Sequence, residues 1–256
     1  MVPGLLLAAE PTTSIEWMIF LAKKYAGMFI QGTWITLYIA IIGTILGFIL
    51  GYAVGIIQDI RISKEDTIVK KTVIRAAKAI CVVYVEVFRG TPMIVQAMIV
   101  YYGLRQSGVE ITPAFAGILV TLLNTGAYMA ETVRAGINSI DVGQREGAWA
   151  MGMSPMKTML YIVLPQAFKN IIPEMANTFL TNLKMTSVLN VIAVQELFMA
   201  AKTAGGNYYK YFESYLVIAV IYFVLCFLFN RLFLLIEKKM QGRNDYVLAV
   251  EYMDNQ

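Results

Sequence analysis

The chain carries the stretch Glu146-Gly147-Ala148-Trp149-Ala150-Met151-Gly152, and after nine intervening residues it continues with Ile162-Val163-Leu164-Pro165. This polar interruption lies inside a strongly hydrophobic chain. A short helix over its first part would place Ala148 and Gly152 four residues apart, on one side. Small side chains at that spacing let another surface approach closely. We therefore predict a docking site for a partner protein here.

The composition places the rest of the chain in a membrane. Of the 256 residues, 58% are hydrophobic and 15% are charged, and the mean hydropathy is +0.63. An ordinary soluble domain is less apolar. Residues 25–58 contain no charge, and roughly 20 apolar residues are enough to cross a bilayer. We predict an all-α membrane protein with five spans, at about 25–58, 79–104, 111–135, 174–200 and 214–235.

Basic residues predict the orientation of these spans. Twelve lysines and arginines lie in the loops 59–78 and 136–173 and in the tail from 236, against five on the other side. The positive-inside rule places those loops in the cytoplasm. We expect an extracytoplasmic segment at 1–24 with an interfacial helix at Ser14–Lys24, one transmembrane domain at 25–236 and a cytoplasmic tail at 237–256. The net charge of +4 reflects this asymmetry, so no nucleic-acid partner is expected.

The cysteines give no sign of a metal site. The chain has no histidine, and Cys81 and Cys226 lie in separate predicted spans without metal-ligand spacing. Buried structural thiols are the better interpretation. Neither a metal nor a cofactor is predicted.

Three of the predicted spans carry polar residues at helical spacing. Charged groups at mid-membrane are costly unless they pair or meet water, so stripes on three helices predict a common cavity or pathway. The stripes are Glu86, Arg89, Met93 and Gln96 in the second span; Thr121, Asn124, Tyr128 and Glu131 in the third; and Asn177, Thr181, Lys184 and Ser187 in the fourth.

Ion pairing inside single helices is an alternative explanation of these charges. Glu86 with Arg89, and Glu131 with Arg134, stand three residues apart and could neutralise one another. In that case the charges would carry no information about a substrate.

Helix packing is a second alternative, since polar residues also join membrane helices through hydrogen bonds. Asn124 and Asn177 are expected to act in this way. Lys184 has no acid within four residues. Its partner is therefore Glu131, Glu86 or the carboxylate of a ligand.

The segment Arg89-Gly90-Thr91-Pro92 predicts a bend in the second span. Proline removes a backbone donor and glycine loosens the helix. Backbone carbonyls freed at such a bend can bind polar groups in a cavity. A kink needed only for packing stays open as the other interpretation.

Several motifs together resemble the permeases of the polar amino-acid branch (the histidine, glutamine and arginine type) of bacterial ATP-binding-cassette (ABC) importers. The resemblance extends in order from about residue 31 to 233. The motifs are the segments 86–96, 127–134, 143–146, 164–167 and 183–187, together with the opening stretch, which is similar to the cytoplasmic coupling loop of these proteins.

The resemblance implies a type I ABC importer permease fold with about five transmembrane helices and a cytoplasmic coupling helix in the loop 136–173. It implies a multi-pass protein of the bacterial inner membrane, paired with an identical or related permease. A cytoplasmic ATPase dimer would grip the coupling loops at Glu146, Gly147, Ala148, Gly152 and Pro165. An extracytoplasmic binding protein would deliver an amino acid. The chain has no glycine-rich nucleotide loop, so it is not expected to be an enzyme, and a partner would hydrolyse ATP.

An amino-acid substrate requires opposite charges in the pathway. Arg89 or Lys184 could meet the carboxylate and Glu131 the ammonium or a cationic side chain. Hydrogen bonds would come from Tyr128, Gln96 and Ser187. Glu131 favours cationic or broadly polar substrates.

The sequence departs from the family's usual pattern at two positions. Gly147 stands where alanine is usual, and Met185 follows Lys184 where aspartate or asparagine is frequent. Two other classes of function stay open. A passive solute channel would need no docking helix, and a membrane-embedded enzyme would need a catalytic constellation.

Overall fold

The computed structural model describes residues 11–60, 62–63 and 66–241, and these residues form helices and no strands. Residues 1–10 of the predicted outer segment and 242–256 of the predicted tail lie outside this description. The helices are α1 (Ser14–Lys24), α2 (Ala26–Asp59), α3 (Ile68–Gly90), α4 (Met93–Gln106), α5 (Pro113–Asn138), α6 (Val142–Ala150), α7 (Pro155–Thr158), α8 (Leu164–Met185), α9 (Leu197–Gly206) and α10 (Tyr211–Gln241). A π-helical turn (Met159–Val163) precedes α8, and a 3-10 segment (Thr186–Ile192) follows it.

Three of the described helices, α2, α5 and α10, are each long and apolar enough to cross a bilayer. They correspond closely to the predicted spans 25–58, 111–135 and 214–235. A fourth crossing results if the run Pro155–Ile192 and α9, which meet at 55°, count as one broken span. The predicted second span, 79–104, is divided between α3 and α4. The all-α membrane fold is thus confirmed.

Helices α2 and α5 approach closely along a row of glycines. Gly43, Gly47, Gly51 and Gly55 recur at every fourth position of α2 and face α5. A Cβ atom added to any of them would lie 2.5–2.8 Å from a side-chain carbon of α5. Small residues at this spacing allow two membrane helices to bring their backbones together. These two helices form the centre of the bundle.

A buried amide joins α8 to this pair. The Asn182 Nδ2 atom donates to Thr44 Oγ1 at 2.7 Å and to Thr125 Oγ1 at 2.8 Å. All three side chains are buried. Because no water is available in a bilayer core, such hydrogen bonds satisfy polar groups that would otherwise be costly.

The break between α3 and α4 lies at Thr91 and Pro92, as the sequence predicts. Thr91 has an extended backbone, and Pro92 precedes the first turn of α4 without an amide to donate. The side-chain amide of Gln96 donates to the carbonyl oxygens of Phe88 and Thr91, at 2.8 and 2.9 Å. This amide therefore closes the gap between the two helices.

A second break separates the 3-10 segment from α9. Ala193 adopts the left-handed conformation, with φ 62°, and the buried Glu196 is the N-cap residue that precedes α9. Its carboxylate accepts the amides of Phe198 at 2.7 Å and Met199 at 2.8 Å, and the Tyr222 hydroxyl lies 3.3 Å from it. The charge found inside the predicted fourth span is therefore a helix cap.

The predicted helix at Ser14–Lys24 is present as α1. Thr13 and Glu16 cap it reciprocally, so two amides of its first turn are satisfied. Lys24 hydrogen-bonds Tyr208, whose ring packs on Trp17. These contacts attach α1 to the loop that links α9 to α10.

Candidate functional site

Glu131 of α5 is the centre of a charged cluster. Its carboxylate lies 2.8 Å from Arg134 Nη2 and 3.6 Å from Arg89 Nη1 of α3. The Arg89 guanidinium also lies 5.6 Å from the ring centroid of Tyr128, which is 47% exposed. Of the two intrahelical pairs that were the alternative explanation of these charges, the structure forms Glu131–Arg134. Arg89 instead pairs across helices with Glu131.

Gln96 lies inside the bundle, and only 6% of its surface is exposed. Its amide nitrogen closes the break between α3 and α4, and its oxygen accepts from Asn124 Nδ2 at 3.1 Å. Asn124 is therefore a packing residue, as expected. Gln96 positions the start of α4 and offers no free polar atom to an open face.

A polar stripe runs along the exposed side of α8. Its members recur at spacings of three and four residues, so they lie on one face. They are Asn170, Glu174, Asn177, Thr181 and Lys184. Asn177 is exposed, so it does not pack between helices of this chain as was expected. The stripe also begins nearer the N-terminal end of α8 than the sequence predicted.

Lys184 is exposed, and its ammonium group has no ion pair within the described part of the chain. Ser187 lies in the 3-10 segment, and its hydroxyl donates to the Lys184 carbonyl at 2.8 Å. The break of the helix thus removes Ser187 from the straight continuation of the α8 stripe.

A groove of about 710 Å³ lies between α5 and α8, next to this stripe. Thr132, Ser139, Lys169 and Asn170 supply its polar wall. Asn170 Nδ2 donates to Ser139 Oγ at 3.1 Å and connects the two helices. The groove continues the face of α5 that carries Tyr128, towards the C-terminal end of that helix.

Helix α6 corresponds to the predicted coupling helix and is anchored to the bundle by Arg145. Asp141 begins the helix by accepting the Gly143 amide at 2.7 Å. Buried Arg145 donates to the Ile137 carbonyl at 3.2 Å and lies 3.8 Å from Asp59 Oδ2 at the end of α2. The sequence analysis did not predict this anchoring role of Arg145, although its position directly before Glu146 is visible in the sequence.

The two sides of α6 differ from what the sequence predicted. Glu146 and Gly147 are exposed, but Ala148 is buried against the chain itself. Gly152 is exposed and has φ +80°, which only glycine adopts without strain. The prediction that Ala148 and Gly152 form one open, small-residued face is therefore wrong. Ala148 instead lets α6 lie close to its own bundle.

The chain stays helical through Pro165. This residue lies in the first turn of α8 after the π-helical turn, so it ends no helix. Around α6 the exposed apolar side chains are Val142, Trp149, Met151 and Met156. An apolar patch of this kind next to an exposed acid is typical of a protein-binding surface.

The described residues contain no group of His, Cys, Asp and Glu side chains that could hold a metal ion. Cys81 and Cys226 are free thiols. Cys81 is buried and Cys226 is half-buried.

Residues 73–242 match the family described as the binding-protein-dependent transport system inner membrane component. The chain belongs to this family. The permease is 40% identical over 162 residues to the arginine transport system permease protein ArtQ of Bacillus subtilis, covering 63% of this chain and 74% of that protein. It is 32% identical to the putative glutamine transport system permease protein GlnP of Rickettsia conorii, over 86% of this chain and 97% of that protein.

Solved structures agree with this assignment. The permease matches an amino acid ABC transporter crystallised with histidines, with 34% identity, a TM-score of 0.77 and coverage of 90% of this chain and 100% of that chain. The methionine ABC transporter MetNI, in an inward-facing conformation, shares the fold at 21% identity, with a TM-score of 0.68 and coverage of 84% and 97%. The type I importer permease fold and the resemblance to amino-acid ABC permeases are therefore confirmed.

Proposed function

We propose that this permease is the membrane subunit of an ATP-driven importer and forms the translocation pathway for a polar or charged amino acid. The similar proteins support the amino-acid class, because their names refer to arginine, glutamine and histidine. The family supports a membrane subunit that works with a binding protein. What we propose beyond the family is that the substrate is a polar or charged amino acid and that ATP hydrolysis drives its uptake.

The observation that carries the proposal is the exposed polar face shared by α5 and α8. Glu174, Asn177, Thr181 and Lys184 are open on a helix that belongs to a hydrophobic bundle. A charged group that faces lipid at the centre of a spanning helix costs about 2.5–3.5 kcal/mol on insertion scales. A second permease subunit, identical or related, would cover this face and enclose a polar path.

Within that path, charged and hydrogen-bonding groups would hold the substrate. Lys184 has no acidic partner among the described residues and would meet the carboxylate. Arg89 and Glu131 form an ion pair beside exposed Tyr128. Gln96 would keep the broken helix in place, and Ser187 would contribute a hydroxyl near Lys184.

Coupling would occur at α6. A cytoplasmic ATPase dimer would dock on the surface that contains Glu146, Gly147 and Gly152, and Ala148 would fix α6 against the bundle from the inner side. Since Arg145 ties α6 to the ends of α2 and α5, a push on this helix would reach both. Pro165 would stiffen the start of α8, which receives the same push.

The remaining partners and the orientation follow from this placement. An extracytoplasmic binding protein would deliver the amino acid, and the N-terminus would lie outside and the C-terminus in the cytoplasm. A separate subunit would hydrolyse ATP. The basic loops, which carry α6, would then face the compartment that contains ATP.

Reconstitution tests this function directly. The permease is co-purified with its ATPase, placed in proteoliposomes with the binding protein, and supplied with labelled amino acids with and without ATP. We expect uptake only with ATP. Uptake that proceeds equally without nucleotide would establish a passive channel instead.

The coupling helix is tested with Glu146→Lys. We expect this change to lower ATP-dependent uptake and stimulated ATP hydrolysis by about tenfold or more, as is usual when a charge at an interface is reversed. Glu110→Lys, on the loop before α5, is the matched control, since that residue is also an exposed acid. Unchanged uptake in the Glu146→Lys protein would reject the role of α6.

A further inference from the structure

We propose that Glu174 of α8, and not Glu131, is the acidic group that meets the positive charge of a transported basic amino acid. This inference rests on the proposed function and names the substrate class for it. Glu131 is the acid in the conspicuous charged cluster, so it is the obvious candidate. The structure favours the other acid for three reasons.

The first reason is that Glu131 is already neutralised. Two guanidinium groups contact its carboxylate, at 2.8 Å from Arg134 and 3.6 Å from Arg89. One negative and two positive charges leave the cluster with a net charge of +1. A basic substrate would have to displace an arginine to reach this carboxylate, and the cluster as a whole would repel it.

The second reason is that Glu174 has no internal partner. Its side chain is exposed, and within the described part of the chain no hydrogen bond or ion pair holds its carboxylate. No lysine or arginine lies within four residues of it along α8. Glu86 is another exposed acid, but it lies on α3, which contributes no residue to the lining of the groove between α5 and α8. An unpaired charge on a helix of a membrane bundle is expected to face water or a charged substrate.

The third reason is the position of Glu174 along the pathway. Helices α5 and α8 are antiparallel, and their contacts pair Asn182 with Thr125 and Thr178 with Met129. One turn further along α8, Glu174 comes level with the turn of α5 that contains Glu131. Its neighbours in sequence line the groove of about 710 Å³. The exposed side chain of Glu174 therefore directly follows Pro173 of the groove lining and lies level with the charged cluster.

Lys184 completes the arrangement. It lies ten residues further along the same stripe, which corresponds to roughly 15 Å of helix axis. The long side chain of Lys184 leans toward the N-terminal end of α8, and so toward Glu174, which shortens that gap. Arginine and lysine carry a carboxylate at one end and a cation at the other, so they can meet Lys184 and Glu174 together. A neutral amino acid has no distal cation to offer Glu174.

The experiment compares substrates in one reconstituted complex that contains the permease, its ATPase and its binding protein. Uptake of labelled arginine, lysine and glutamine is measured for the native protein and for Glu174→Gln, Glu174→Asp, Glu131→Gln and Glu86→Gln. We expect Glu174→Gln to raise KM for arginine and lysine about tenfold, which is the size of a lost charge-assisted contact. KM for glutamine should change less than about twofold. Glu174→Asp keeps the charge and should restore most of the affinity.

Glu131→Gln should behave differently, because it leaves two arginines without their acid. We expect less assembled complex on size-exclusion chromatography and an equal loss of uptake for all three amino acids. Glu86→Gln should not change the ratio of arginine to glutamine uptake.

Each other outcome overturns the inference. A cation-selective loss in Glu131→Gln or Glu86→Gln would move the role to that residue, and equal losses for glutamine and arginine in Glu174→Gln would make Glu174 structural. Failure of both Glu174 variants to assemble would do the same. A native complex that imports only neutral or acidic amino acids with ATP would refute the inference and leave the proposed function standing. A complex that imports no amino acid would refute the function itself.

Discussion

Replacing Gly47 with alanine tests the packing of α2 on α5. A Cβ at this position would lie 2.5 Å from Thr125 Cβ and 3.0 Å from the Leu122 carbonyl oxygen. Non-bonded carbon atoms prefer about 3.5–4.0 Å, so the two helices must separate by roughly 1 Å. Thr125 cannot simply turn away, because its hydroxyl accepts from Asn182 at 2.8 Å.

The expected cost combines three opposing contributions. Overpacking costs about 1–3 kcal/mol, and weakening the buried hydrogen bond costs about 0.6 kcal/mol in a membrane bundle. Alanine returns about 1 kcal/mol through its higher helix propensity. We expect a net loss of about 1–2 kcal/mol, which for a chain of this size lowers Tm by about 2–8 °C.

Thermal unfolding of the purified permease in detergent measures this effect. Gly27→Ala is the matched control, because Gly27 lies in the same helix and a Cβ there would have no other atom within 4 Å. We expect Tm of the control to stay unchanged or to rise slightly. If Gly47→Ala melts at or above Gly27→Ala, the close approach of α2 and α5 is wrong.

Three further changes test other parts of the fold. Asn182→Leu removes the amide that joins three helices and should lower Tm by about 2–4 °C, from a loss of about 1 kcal/mol, whereas an unchanged Tm would mean that the amide contributes nothing. Glu196→Ala removes the N-cap of α9, which costs about 1–2 kcal/mol. Relative to the native protein, amide hydrogen exchange should then accelerate more in α9 than in α5. Gly152→Ala places an alanine in the left-handed backbone conformation, which costs about 1–2 kcal/mol, so Tm should fall. Gly147→Ala, inside α6, should instead raise Tm because alanine has the higher helix propensity.

Long uncharged stretches predicted α2, α5 and α10 well, because hydropathy alone identifies a helix that crosses a bilayer. The start of α3 was harder to predict from the sequence. Residues 68–78 contain four basic residues, so they resemble a loop. Lysine and arginine are nevertheless good helix formers, and α3 begins at Ile68, eleven residues before the predicted start of the span at 79. The break at Ala193 had no glycine or proline to announce it.

The polar stripes were predictable from spacing, but their pairings were not. Arg89 could reach Glu86 on its own helix or Glu131 on α5, and only the packing of α3 on α5 decides between them. The direction of Ala148 was equally hidden, since both sides of α6 contain small residues. The glycines at every fourth position of α2 were visible in the sequence, and their spacing was the unused signal for the central helix pair.

The glycine row between α2 and α5 also limits how the permease can move. Each glycine fits against one particular residue, so a slide of the two helices along each other would bring larger side chains of α2 against α5. The pair is therefore a rigid frame. We therefore expect opening and closing of the bundle to take place around this pair, and the breaks between α3 and α4 and between the 3-10 segment and α9 are two places where the surrounding helices can bend.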